Sequence, residues 1–144
     1  MARFGRKSQK AEALREIPLF RNLSKGDLEA LASHVDEVSV GEGEVLARQG
    51  RKGQQLSLIV EGAAKVERNG KELATLGDGD VVGEMSLIDR GKGTANVVTT
   101  EPSVLLVMHS TDFSELLYES PAFARKIMTA LVERLRAADE KLVG

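Results

Sequence analysis

The chain has 144 residues, 42% of them apolar and 29% charged, with a formal net charge of −2, enough for one domain with its own core and ordinary for a soluble globular protein. It contains no cysteine, which excludes a disulfide framework and any thiolate nucleophile or metal site and fits a cytoplasmic setting. No apolar run approaches about 18–20 residues, so no membrane-spanning helix is predicted.

The first ten residues carry Arg3, Arg6, Lys7 and Lys10 with no apolar segment behind them, and so do not read as a secretory signal. Residues 1–26 hold seven Lys/Arg against two Glu, and the remainder 13 against 20. Residues 1–10 are expected to form a basic, flexible tail able to meet an acidic partner, with the domain proper running from 11 to 144.

Ala11 to Ile17 can make a short helix that Pro18 stops. Ser24-Lys-Gly-Asp27 resembles a capping box, and Leu28, Leu31, Ala32 and Val35 then follow at the spacing of one buried helix face. From Val35 onward the period changes to two. Eleven of the 14 glycines fall between Gly41 and Gly93, punctuating strands predicted at Glu44–Arg48, Leu56–Glu61, Ala63–Arg68, Lys71–Leu76, Ala95–Glu101 and Ser103–His109. Asn69-Gly70 is a type I′ hairpin signal, and Gly77-Asp-Gly-Asp80 reads as another turn. Short strands with a turn every few residues predict a mainly β domain with flanking helices (α+β). Seven or eight strands fit a small β-roll, jelly roll or barrel over about 36–109, and an eight-stranded β-roll or jelly roll is expected there.

Helical signals return over 110–142. Ser110 or Thr111 can cap a short helix ending near Glu119. Ser120-Pro121 supplies an N-cap followed by proline at the first helical position. Phe123, Ile127, Leu131, Leu135, Ala138 and Leu142 then recur at helical spacing, giving a helix roughly 33 Å long. Such length leaves two uses open for the stripe, packing on the roll and dimerisation or docking through residues 121–142.

Residues 83–97 carry the chemistry. Gly83 permits close backbone approach to a ligand, and Glu84 can accept from a sugar hydroxyl. The turn from Met85 through Ser86 to Asp89 can aim N–H groups at an anion. Arg90-Gly91-Lys92-Gly93-Thr94 adds positive charge and a hydroxyl. A sugar acceptor beside an anion cradle points to a ribose-phosphate ligand.

This order of elements is similar to that of the cyclic-nucleotide-binding domains of catabolite activators, protein kinase regulatory subunits and nucleotide-gated channels. The resemblance runs from about Leu19 to Leu142. It rests on Pro18-Leu-Phe-Arg-Asn-Leu-Ser24, Gly50, Leu58-Ile-Val-Glu-Gly62, and Gly79-Asp-Val-Val-Gly-Glu84 continuing into Met85-Ser-Leu-Ile88. It implies that Glu84 holds the ribose 2′-hydroxyl, with Gly83, Met85, Ser86, Thr94 and Ala95 along the phosphate cassette. In that family an arginine grips the phosphate, and here its place falls on Gly93. A charge-assisted hydrogen bond contributes about 1.5–3 kcal/mol, so the resemblance implies affinity weakened by about 10- to 150-fold. Lys92 can compensate if Gly91 and Gly93 let it turn inward, and Arg90 less readily. Ala138 and Asp139 fall where catabolite activators place hydroxyls that contact adenine.

Other chemistry is sparse. His34 and His109 are the only histidines and make no ligand cluster, so neither a metal site nor an enzyme is expected. Asp78-Gly-Asp80 lacks the glutamate of a calcium loop, and Gly91-Lys-Gly-Thr94 lacks the spacing of a nucleotide P-loop. No helix pair follows the long helix, and the composition is slightly acidic, so direct DNA binding is not expected. Two functions follow as expectations. The first is a stand-alone sensor of cyclic AMP, with cyclic GMP as the alternative ligand and no other cofactor, whose occupancy moves the carboxyl-terminal helix. The second is a protein-interaction module of the same fold that no longer binds nucleotide.

Overall fold

The structure, a computed structural model, describes residues 4–89 and 91–143, with side chains as far as Lys141. Arg3, Arg90 and the Leu142 side chain, all named above, lie outside the described residues.

Three short helical pieces come first: α1 (Lys7–Leu14), a 3-10 turn (Pro18–Phe20) and α2 (Lys25–Ala32). Eight strands follow: β1 (Val35–Val40), β2 (Val45–Ala47), β3 (Gln55–Glu61), β4 (Ala64–Arg68), β5 (Lys71–Leu76), β6 (Val81–Val82), β7 (Asn96–Thr99) and β8 (Ser103–His109). The helix α3 (Ser86–Asp89) lies between β6 and β7, and α4 (Ser110–Glu119) and α5 (Pro121–Val143) close the chain. The strands pair into two four-stranded antiparallel sheets in the orders β1-β8-β3-β6 and β2-β7-β4-β5, an eight-stranded jelly roll.

Local signals explain much of this. The Ser24 hydroxyl accepts from Asp27 N–H at 3.1 Å, and the Asp27 carboxylate accepts from Ser24 N–H at 3.0 Å, the reciprocal capping that starts α2. Asn69 takes φ 53° and Gly70 φ 80°, the positive pair that a type I′ turn between β4 and β5 requires. Ser120 Oγ accepts from Phe123 N–H at 3.2 Å, fixing the start of α5.

The two central strands of the first sheet, β3 and β8, are buried on both faces, which explains the continuous buried run Leu56–Ile59. Alternate residues of β3 and β8 serve two cores. Leu56, Leu58, Leu106 and Met108 pack with the helices, while Ile59, Leu105 and Val107 pack inside the roll. Phe20, Phe113 and Phe123 join the amino-terminal turn to α4 and α5, with ring centroids 6.1 Å and 5.8 Å apart. Each such pair is worth about 0.5–1.5 kcal/mol beyond its burial.

Several boundaries differ from expectation. α1 begins at Lys7 rather than Ala11, because its anchors are polar and invisible to apolar periodicity. Lys10 Nζ donates to Val35 O at 2.7 Å and Phe4 N–H donates to a Glu37 carboxylate oxygen. His109, not Ser110 or Thr111, holds the N-cap position of α4. Ser110 is instead buried, its N–H donating to Gln54 O at 2.8 Å. The stripe on α5 leaves the protein part-way along: Phe123 and Ile127 are buried, Leu131 is half-buried, and Leu135 is 65% exposed. Among the described residues no helix is long and apolar enough to cross a membrane.

Candidate ligand-binding site

β6 leads into Gly83, which takes φ +82° and packs against β3 so closely that a Cβ there would run into Gln55 O. Only glycine suits both demands. The chain then turns through Glu84 and Met85 into α3, whose Leu87 is fully buried among the helices. Residues 91–93 return against the β2–β3 loop. Gly93 N–H donates to Arg51 O at 2.8 Å, and Gly50 N–H donates to Gly93 O at 2.9 Å.

This turn and return enclose a hollow of about 550 Å³ whose lining includes Gly83, Glu84, Met85, Ser86, Lys92, Gly93, Thr94 and Ala95. The eight residues singled out in the sequence thus converge on one space. Apolar walls come from Val66, Leu76, Val81 and Val97. Its size falls within the range of about 300–1,000 Å³ usual for small-molecule pockets. Among the described residues no backbone acceptor pairs the N–H groups of Ser86, Thr94 or Ala95, so the polar rim offers donors to an anion.

The acceptor on the lining is Glu84, its side chain 16% exposed. One carboxylate oxygen accepts from Leu19 N–H at 3.0 Å, and the other accepts from Arg134 Nη2 at 2.9 Å. Arg134 Nη1 also lies 3.3 Å from Met85 Sδ. Glu84 therefore ties the cassette to the amino-terminal turn and to α5 at once. Sequence reasoning missed both partners. The one signal for Arg134 is its place seven residues after Ile127, on the inward face of α5.

Further polar contacts brace the site. Arg68 Nε donates to Thr94 O at 2.8 Å. Gln49 N–H donates to Asn96 Oδ1 at 2.8 Å, and the Gln49 and Asn69 groups exchange two bonds. Leu135 does not reach the hollow, and neither Ala138 nor Asp139 lines it. Lys92 is exposed on its wall and forms no ion pair among the described residues, while Asp89 accepts from Gly91 N–H at 2.8 Å. Among the described residues no group of three His, Cys, Asp or Glu could hold a metal ion.

Comparison with known proteins bears on this geometry directly. Residues 37–120 match the cyclic nucleotide-binding domain. The cyclic AMP receptor protein of Thermus thermophilus is 34% identical over 87% of this chain and 60% of its own length. The Pycsar effector protein PaPycTIR of Pseudomonas aeruginosa is 31% identical over 90% of this chain and 44% of its own. The chain thus spans about half the length of these curated relatives. Among solved structures, the N-terminal domain of a transcriptional regulator from Streptomyces coelicolor superposes with a TM-score of 0.79 at 31% identity, over 89% of this chain and 95% of that domain. A jelly roll with these helices, a glycine-led cassette over one hollow and a match across more than half its length make this chain a member of the cyclic nucleotide-binding domain family.

Proposed function

We propose that the chain is a non-catalytic regulatory domain that binds a cyclic nucleotide, cyclic AMP in preference to cyclic GMP, in the hollow above residues 83–95. The observation that carries this reading is the convergence of a sugar-type acceptor, unpaired N–H donors and apolar walls on one open space. The choice of cyclic AMP is supported by the relative named as a cyclic AMP receptor protein.

In this reading the cyclic phosphate lies over Ser86, Thr94 and Ala95, and a ribose hydroxyl donates to Glu84. That hydroxyl competes with Arg134 for one carboxylate oxygen, while Leu19 N–H keeps the other. Occupancy therefore loosens one tie between cassette and α5. Among the described residues, polar ties from α5 to residues 21–27 remain: Lys126 Nζ to Asp27 at 2.7 Å, Asn22 Nδ2 to Glu133 at 3.2 Å and Arg21 to Glu133 at 3.4 Å. The ligand shifts α5 only as far as its differential affinity for the two arrangements allows.

Thermal melting with and without cyclic AMP tests the reading. A ligand at about a hundredfold excess over its Kd stabilises by about 2.7 kcal/mol, so the unaltered chain should melt higher with cyclic AMP. Glu84→Gln, which keeps an acceptor for Leu19 N–H, should lose most of that rise. An unchanged melt at millimolar cyclic AMP and cyclic GMP contradicts the reading.

One observation favours the second reading, an interaction module without ligand. Glu84 already has two protein partners, so no sugar is needed to satisfy it. α5 also presents Met128, Val132 and Leu135, exposed by 57%, 43% and 65%, at spacings of four and three on one face. In either reading that stripe is the surface proposed for a second copy or a partner helix.

A further inference from the structure

Residues 51–53 and 91–93 run antiparallel beside the hollow. Gly93 N–H donates to Arg51 O at 2.8 Å and Gly53 N–H donates to Gly91 O at 3.2 Å, so Lys52 and Lys92 face each other between two ladder bonds. At such a position the two side chains leave the same face of the ribbon at its closest approach. Like charges set directly opposite destabilise a pair. Yet both ammonium groups are here, and neither forms an ion pair among the described residues.

The surroundings add to the positive charge. Lys52, Arg48 and Arg51 are exposed and line a second hollow of about 470 Å³. It meets the first at Ala47, Gly83, Ser86 and Gly93. Arg48 and Arg51 also form no ion pair among the described residues. The carboxylates on the two linings besides Glu84 are Asp89, which accepts from Gly91 N–H, and Glu44. A side chain at position 93 would crowd the same loop, since its Cβ would lie 2.8 Å from Arg48 O. The β2–β3 loop that carries Lys52 therefore also crowds, through Arg48 O, the place where a residue-93 side chain would begin.

We propose that Lys52 and Lys92 form a two-lysine clamp for the phosphate of the bound nucleotide, with Arg48 and Arg51 raising the local positive potential. The clamp rests on the cyclic-nucleotide reading above and names the counter-charge for its phosphate. An anion between the two ammonium groups converts a repulsive pair into two attractive contacts. Lysines act as point charges rather than as a planar fork, so the grip should weaken as salt rises.

Calorimetric titration of cyclic AMP into the unaltered chain, Lys52→Gln and Lys92→Gln tests this, with adenosine as the phosphate-free probe and ligand-free melting as the control. Each substitution should weaken cyclic AMP binding about tenfold or more, leave adenosine binding unchanged, and leave the ligand-free melt unchanged or raised. If cyclic AMP binds the unaltered chain and Lys52→Gln equally well, the clamp is overturned while the cyclic-nucleotide reading stands. If the unaltered chain binds no cyclic AMP, that reading fails and the clamp with it.

Discussion

Arg134 of α5 donates to Glu84 of the cassette at 2.9 Å, across 50 residues of sequence. The side chains are 40% and 16% exposed, so the pair is partly screened and worth about 0.2–1 kcal/mol. It occupies the oxygen that the proposed ribose hydroxyl needs. Arg134→Gln should therefore raise cyclic AMP affinity by about two- to fivefold, measured by titration, with ligand-free stability falling by no more than the worth of the pair. A fall in affinity would make Arg134 a ligand contact rather than a competitor.

The strap between α5 and α2 should show itself in acid. Burial pushes the Asp27 carboxyl up, but hydrogen bonds from Lys126 Nζ and from Ser24 outweigh it and hold the group below the ordinary aspartate range. A lowered native pKa adds stability above the unfolded pKa and loses it as pH falls through the native one. Asp27→Asn should thus melt lower at neutral pH by about 0.5–2 kcal/mol, the worth of a helix cap. The gap between variant and unaltered chain should close below about pH 4; a gap constant with pH contradicts the assignment.

Arginine placed at position 93 is the substitution that the family resemblance suggests for tighter binding. The structure argues the reverse, because a Cβ there meets Arg48 O at 2.8 Å. Gly93→Arg should cost about 1–3 kcal/mol of stability, as overpacking does, and should not strengthen cyclic AMP binding. Tighter binding with an unchanged melt would show that residues 91–93 can leave the β2–β3 loop freely.

On α5 the exposed Met128, Val132 and Leu135 form an apolar face. Replacing Val132 and Leu135 together by Glu should lower the melting temperature only through loss of the association, by an amount that shrinks as the protein is diluted. Sedimentation velocity should show the double variant as a smaller species than the unaltered chain. Equal sedimentation of the two contradicts self-association through this face.

What the sequence disclosed were features written within a few residues of each other. The Ser24/Asp27 box, the Asn69-Gly70 turn and the Ser120-Pro121 start are local, and each appears where the spacing put it. The 83–95 stretch stood out because a glycine, a carboxylate and small residues stand at fixed intervals, and those eight positions line one hollow. The pairing of Lys52 with Lys92 joins two irregular segments that carry no alternation, so nothing in either announced it. The Glu84 contacts reach to Leu19 and Arg134, 65 and 50 residues away, and depend on how the helices fold back. The two-residue strand β6 is too short for any periodic signal.

The hollow over residues 83–95 is proposed to take a cyclic nucleotide. Isothermal titration of the unaltered chain with cyclic AMP at low salt tests it most directly. Saturable heat is expected at micromolar to submillimolar ligand, strongly reduced in Glu84→Gln and with linear AMP in place of the cyclic ester. No heat up to millimolar cyclic AMP, in a chain that melts cooperatively, would contradict it.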